Sequence, residues 1–133
     1  MLTFLISAFL QTASAAPLDR TKLAKTMLAE LETRFDLFYT DCGRYPSTEE
    51  GLMALIEPVA NCGTNVNMSN WGPDPYISQL SSDPWGRPWI YNSANPKNFV
   101  LKSLGADHHE GGLGQDADIV YDSDQPRTQP ATK

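Results

Sequence analysis

Residues 103–118 read S-L-G-A-D-H-H-E-G-G-L-G-Q-D-A-D, with four glycines, four acids and no lysine or arginine. The acids are Asp107, Glu110, Asp116 and Asp118. Glycine inside a helix or strand costs about 0.5–1 kcal/mol relative to alanine, so this composition predicts a loop. Crowded carboxylates repel one another unless a cation lies among them, and calcium takes about 6–8 oxygen ligands. The segment therefore predicts a calcium-binding loop, with a solvated acidic turn as the alternative.

Two familiar calcium-loop patterns do not fit this segment. An EF-hand needs D-x-[DN]-x-[DN]-G, and neither Asp107 nor Asp116 begins that pattern. The calcium-binding β-helix repeat, G-G-x-G-x-D-x-U-x, fits residues 111–116 but requires an apolar residue where Asp118 stands. A calcium site here would therefore belong to another class of loop.

Short apolar segments on both sides of this loop predict a small antiparallel sheet. Residues 89–91 and 99–103 are predicted strands, joined by a hairpin loop of turn-forming residues at 92–98. Residues 119–121 are a third predicted strand, so the acidic loop bridges strands two and three. Before the first strand, residues 83–88 read D-P-W-G-R-P, which predicts a turn.

A long amphipathic helix is predicted from Asp19 to Tyr39, and Gly43 can end it in a left-handed turn. Its proposed inward stripe is Leu23, Met27, Leu31, Phe35 and Phe38. The charged residues predicted to face away from that stripe are Lys22, Lys25, Glu32 and Asp36. Together with the strands, this helix predicts an α+β domain in which one long helix packs on a small sheet.

Between the helix and the sheet, the chain carries a short helix signal and a long loop. Ser47 and Glu50 form an S-x-x-E capping box, which predicts a helix over residues 48–56 that stops before Pro58. Residues 61–75 contain prolines, glycines and four asparagines, so they are a predicted loop with an exposed Trp71.

The two cysteines of the chain, Cys42 and Cys62, are predicted to form a disulfide if the domain lies in an oxidising compartment. Closing a loop of this length stabilises a protein by about 3 kcal/mol on the chain-entropy model. The alternative is a pair of buried free thiols.

The amino-terminal residues bear on the compartment. Residues 2–10 are mostly apolar and precede Ala13-Ser14-Ala15, which is typical of a signal peptide cleaved after Ala15. An uncleaved anchor facing the periplasm from the inner membrane is the alternative. We therefore expect a signal at residues 1–15, one domain at 16–121 in the periplasm or secreted, and a disordered tail at 122–133. The net charge of −6 argues against nucleic acid as a partner.

Four motifs in this order resemble the type II secretion system major pseudopilin (protein G) family. They are G-R-Y-P-S-T-E-E-G-L at 43–52, D-P-W-G-R-P at 83–88, S-L-G-A-D at 103–107, and G-G-x-G with D-A-D-I at 111–119. The resemblance implies a pilin-like fold and a calcium ion in the loop, held by the carboxylates of Asp107, Asp116 and Asp118 and by the Leu104 carbonyl. Ser103 is a further candidate ligand.

The resemblance also implies a structural role, in which subunits polymerise into a short periplasmic filament. The partners that it implies are other pseudopilins, secretion-system components and, as a homo-oligomer, further copies of the chain. No catalytic triad or phosphate loop suggests an enzyme. The alternative is a soluble periplasmic or secreted binding module with a pilin-like head that does not polymerise.

Two features of the sequence depart from the family pattern. No glycine precedes Gly43 and no acid precedes Asp19, so the basic leader and early glutamate of a prepilin are not matched. Either the reading frame begins further upstream, or the chain is a soluble derivative of the head; membrane contact is expected only with an uncleaved or longer amino terminus. His108 and His109 follow Asp107, where the family has glycine, and are predicted to be exposed loop residues rather than metal or catalytic groups.

Overall fold

The computed structural model describes residues 17–65 and 67–125. It contains a long helix, α1 (Arg20–Cys42), and three strands, β1 (Ile90–Asn95), β2 (Asn98–Ser103) and β3 (Ile119–Asp122). Short 3₁₀ turns lie at Gly51–Leu55 and Gly114–Asp116. The α+β prediction of one long helix on a three-stranded sheet is confirmed. Within the described ranges, no helix has both the length and the apolar character needed to cross a membrane.

Helix α1 has a defined cap at each end. The Asp19 carboxylate accepts a hydrogen bond from the backbone N–H of Lys22 (3.1 Å), which satisfies one of the free donors of the first turn. Gly43 adopts the left-handed conformation (φ 75°) and its N–H donates to the Tyr39 carbonyl. The predicted glycine cap is therefore confirmed, and the helix continues to Cys42.

The buried face of α1 differs from the predicted stripe in its first half. The buried residues that form the apolar stripe are Ala24, Leu28, Leu31, Phe35, Phe38 and Cys42. Successive steps of four residues drift by about 40° each on a helix of 3.6 residues per turn, whereas alternating steps of four and three stay on one face. Leu23 and Met27 are consequently only half-buried. The prediction that Glu32 faces away from the core is wrong, because Glu32 is buried.

The sheet is an antiparallel meander in the order β1-β2-β3. Tyr91, Leu101 and Tyr121 are register partners across the three strands, on the face that packs against α1. Phe35 lies against this face, with its ring centroid 5.0 Å from that of Tyr91 and 4.8 Å from that of Phe99. An aromatic layer between helix and sheet therefore forms the centre of the core.

Two strand boundaries differ from the sequence prediction. Strand β1 continues to Asn95, so the hairpin loop contains only Pro96 and Lys97 instead of seven residues. Strand β3 includes Asp122, and Ser123 continues the pairing because its N–H donates to the Phe99 carbonyl (3.0 Å). The predicted disordered tail is thus wrong at its beginning, while its remainder from 126 and the predicted signal at 1–15 lie outside the described residues.

The predicted capping box is confirmed, but the helix that it was expected to start is not. The Ser47 N–H donates to the Glu50 carboxylate (2.9 Å), and the Glu50 N–H donates to the Ser47 hydroxyl (3.2 Å). The chain then forms a turn and the 3₁₀ segment Gly51–Leu55, which buries Ala54 and Leu55. A short segment with a glycine at its start packs in this tighter form instead of as an α-helix.

Trp71 is part of the core margin, so the prediction that it is exposed is wrong. Its indole N–H donates to the Ala54 carbonyl (2.7 Å), and its ring meets that of Tyr76 edge-on. Burial, and next the hydrogen bond to Asp41, raises the pKa of Tyr76 to about 12, so this phenol stays protonated at neutral pH. Trp71 thus attaches the 61–75 loop to the domain through its contacts with Ala54 and Tyr76.

The predicted disulfide between Cys42 and Cys62 is confirmed. Both residues are buried, with exposed fractions of 5% and 2%. Arg44 also binds the segment that precedes Cys62, because its guanidinium donates hydrogen bonds to the carbonyls of Ala60 (2.7 Å) and Asn61 (3.1 Å). The carboxyl end of α1 and the loop after the 3₁₀ turn therefore form one unit.

Glu50 should make the domain sensitive to acid. Burial raises its pKa, but the hydrogen bonds from Arg44 and Ser47 lower it by more, so the folded-state pKa lies below the usual value. A depressed carboxyl pKa stabilises the fold above the unfolded pKa of about 4.3, and this contribution is lost as pH falls through the folded pKa. We expect Glu50→Gln to lower the free energy of unfolding by about 1 kcal/mol at pH 7, and the difference from wild type to shrink below pH ~4, in urea melts.

The exposed neighbour Glu49 offers the matched control for this experiment. Glu49→Gln should change stability by less than about 0.5 kcal/mol at either pH. A wild-type advantage over Glu50→Gln that stays constant from pH 7 to pH 3 would contradict the assignment.

Candidate metal-binding loop

The acidic loop joins β2 to β3 and folds back on itself. Its first limb begins after Ser103 and its second limb contains the 3₁₀ turn Gly114–Asp116. The N–H of Ala106 in the first limb donates to the Gln115 carbonyl in the second (2.9 Å). The two limbs are therefore in backbone contact at the base of the loop.

Glycine is required where the limbs touch. Gly105 has φ +73°, and a Cβ atom there would lie 2.7 Å from the Ala117 carbonyl oxygen and 2.8 Å from that of Gln115. Gly112 has φ +96°, and its Cβ would lie 2.5 Å from the Asp116 carbonyl oxygen. Any side chain at either position would push the limbs apart, so these glycines allow backbone oxygens of residues 115–117 to crowd into the loop.

The structure places the four predicted metal-ligating residues in one loop, but the carboxylates of the three aspartates do not form a cluster. Asp107 is half-buried and accepts a hydrogen bond from the His109 N–H (3.0 Å). Asp116 is exposed, and Leu104 and Asp118 are half-buried, with Oδ1 of Asp118 enclosed and without a hydrogen-bond partner. Across residues 17–65 and 67–125, no three His, Cys, Asp or Glu side chains form a cluster that could hold a metal.

A buried carboxylate beneath the loop, Asp83, was missed as a site residue. It is 4% exposed and accepts hydrogen bonds from the Ser103 hydroxyl (2.6 Å) and from the backbone N–H groups of Trp85 (3.0 Å) and Arg87 (2.9 Å). The D-P-W-G-R-P motif indicates a turn with an aspartate at its start, a position where the side chain commonly binds nearby N–H groups. Its burial against Ser103 depends on tertiary packing, which the motif does not encode.

The two histidines have different surroundings. His108 is half-buried, has φ +58° and accepts a hydrogen bond at Nε2 from Arg87 Nε (2.9 Å), so the prediction that it is an exposed loop residue is wrong for His108. His109 is exposed, as predicted. The fourth acid of the loop, Glu110, is 80% exposed at its side chain and forms an ion pair with Lys102 (3.0 Å).

Comparison with known proteins places this fold and loop in one family. The model of the family described as type II secretion system (T2SS), protein G, matches residues 11–122. The type II secretion system core protein G of Pseudomonas aeruginosa is 37% identical over 110 residues, which are 82% of this chain and 75% of that protein. The Vibrio cholerae core protein G is 38% identical over 97 residues, which are 72% of this chain but only 64% of that relative.

A solved structure agrees with the sequence comparison. The crystal structure of the major pseudopilin from the type 2 secretion system of enterohaemorrhagic Escherichia coli has a TM-score of 0.58 and 29% sequence identity to this chain. The similarity covers 76% of this chain and 84% of that one. The residues that the family model matches, 11–122, include helix α1, the three strands and the acidic loop. On the combined family match, sequence identity and shared fold, the chain belongs to the type II secretion system protein G family.

Proposed function

We propose that this domain is the head of a pseudopilin subunit that assembles, with further copies and other secretion-system components, on the periplasmic side of the inner membrane. The observation that carries the proposal is the family match over residues 11–122, which includes every helix and strand of the described fold. Membership makes the chain a structural component of a type II secretion system. Filament assembly and the identity of its neighbours are the parts that we propose.

Deleting the gene in its own organism tests this role. We expect the substrates of the type II system to accumulate in the periplasm, and plasmid-borne expression of the gene to restore their release. A periplasmic marker protein that stays inside in every strain controls for leakage. Unchanged secretion in the deletion strain would overturn the proposal.

The proposal includes a calcium ion in the acidic loop. The carboxylates of Asp107, Asp116 and Asp118 and the Leu104 carbonyl are the candidate ligands, and Asp118 Oδ1 is an enclosed acceptor without a hydrogen-bond partner. Gly105 and Gly112 let the backbone carbonyl oxygens of residues 115–117 approach closely, and calcium takes carbonyl as well as carboxylate oxygens as ligands. Because the three carboxylates do not form a cluster, backbone carbonyl oxygens would have to complete the coordination shell of the ion. The ion would neutralise the acids and hold the two limbs together.

Calcium should raise the stability of the wild-type protein, because a ligand that binds only the folded state at 100 times its dissociation constant adds about 2.7 kcal/mol. Asp116→Ala should abolish most of this gain in calcium and change stability little in chelator, because Asp116 is exposed. Thermal melts of the full chain, non-reduced, with calcium, magnesium or chelator, measure the effect.

Glu110→Ala is the matched control, since Glu110 is an exposed acid of the same loop that is not assigned as a ligand. This variant should keep the calcium response. Equal destabilisation of Asp116→Ala in calcium and in chelator would show that the acid has a structural role without metal.

A further inference from the structure

We propose that the turn at residues 83–88 positions the first limb of the calcium loop, and that Asp83, Ser103 and Arg87 are the positioning residues. Ser103 was a candidate ligand from the sequence, but its hydroxyl binds Asp83 and Gly105, so in this arrangement none of the three is a proposed ligand. The inference rests on the calcium site proposed above and adds the elements that give this site its shape.

The first contact runs through two buried side chains. Asp83 and Ser103 are 4% and 1% exposed, and the Ser103 hydroxyl donates its one hydrogen to the Asp83 carboxylate (2.6 Å). The same hydroxyl oxygen accepts from the backbone N–H of Gly105 (3.2 Å), as a hydroxyl with one hydrogen and two lone pairs can. Asp83 therefore orients the Ser103 hydroxyl, and the hydroxyl in turn binds and orients the backbone N–H of Gly105.

Holding the Gly105 N–H also orients a candidate ligand. That N–H and the Leu104 carbonyl belong to one planar peptide unit. The cis peptide bond found among the described residues is Gly72–Pro73, so the Leu104–Gly105 bond is trans and its C=O points away from its N–H. With the N–H directed at Ser103, the Leu104 oxygen is turned to the side opposite Ser103. The serine thus sets the direction of the carbonyl without binding the ion itself.

The second contact comes from Arg87 at the other end of the same turn. Its backbone N–H is held by Asp83 (2.9 Å), and its side-chain Nε donates to Nε2 of His108 (2.9 Å). His108 has φ +58°, a conformation that few residues with a Cβ atom adopt, and the hydrogen bond from Arg87 helps to hold it there. The turn therefore contacts the first limb on both sides of Asp107: Asp83 reaches Gly105 through Ser103, and Arg87 binds His108.

The test is calcium affinity of the full chain by isothermal titration calorimetry. We expect Ser103→Ala to bind calcium about 10- to 100-fold more weakly, the usual effect of removing a group that orients a metal ligand. Ser103→Thr, which keeps the hydroxyl, should restore much of the affinity. Tyr91→Phe is the matched control, since it removes a different buried hydrogen bond, from Tyr91 to the Pro46 carbonyl (2.8 Å), away from the loop. It should lower the melting temperature but leave calcium affinity unchanged.

Arg87→Ala gives a second measurement that does not depend on a buried substitution. Arg87 is exposed, so the variant should fold and should bind calcium about tenfold more weakly. Wild-type affinity in Arg87→Ala, or in a folded Ser103→Ala, would overturn the inference and leave the calcium site itself standing. If the wild-type protein binds no calcium, the site and the inference are both wrong.

Discussion

Phe35→Ala is expected to lower the free energy of unfolding by about 3–5 kcal/mol, the range for removing a fully buried phenylalanine. Phe35 has no exposed surface, and its ring packs against the rings of both Tyr91 and Phe99 on the inner face of the sheet. The variant loses these aromatic contacts and leaves a cavity between the helix and the sheet. Urea unfolding followed by circular dichroism measures the loss.

Leu37→Ala is the control on the same helix, because Leu37 is 46% exposed. Alanine is the best helix former, so this variant should lose about 1 kcal/mol or less. Similar losses for the two variants would mean that the aromatic layer does not carry the stability assigned to it.

Removing the disulfide is the second large change. Replacing both Cys42 and Cys62 by alanine should lower the free energy of unfolding by about 3 kcal/mol, the loop-closure contribution for cysteines separated by 20 positions. Alanine is preferable to serine, because both sites are buried and a hydroxyl there would lack a partner. Urea melts of the oxidised wild type and of the double variant give the difference.

The wild-type protein in reductant provides the comparison for the double variant. Its stability should fall towards that of the double variant, while the variant itself should not respond to reductant. We expect the native loop to remain docked in both cases, because Arg44 binds the Ala60 and Asn61 carbonyls independently of the sulfur atoms. A double variant as stable as the oxidised protein would contradict the prediction.

Local chemistry accounts for the parts of the fold that could be predicted from sequence. Gly43 ends the helix because glycine adopts the left-handed conformation without a steric penalty, and the Ser47–Glu50 capping box is satisfied within four residues. Burial was harder to predict wherever a distant partner decides it. Trp71 is drawn into the core margin by the Ala54 carbonyl, and Glu32 is buried although its type favours solvent.

The candidate site likewise has some features that local sequence predicts and others that depend on distant residues. Acids and glycines located the loop, because their composition excludes regular structure. The arrangement inside it depends on backbone contacts such as that of Gly105 with residues 115–117, and on Asp83, which lies 20 positions before Ser103. Neither contact has a local signal, so the sequence could predict the loop, its candidate ligands and the turn at residues 83–88, but not the contact of that turn with Ser103.

Helix α1 precedes every strand that covers it, and this order has a consequence for biosynthesis. The ribosome completes the apolar stripe of residues 24–42 well before it adds Tyr91, Phe99 and Leu101, so the stripe has no sheet to pack against while the middle of the chain is made. Contacts between residues far apart in sequence form late, and exposed apolar surface promotes aggregation in the meantime. Helix α1 is therefore synthesised well before the sheet that covers it, and the interval between these events is when a nascent chain of this protein most needs protection.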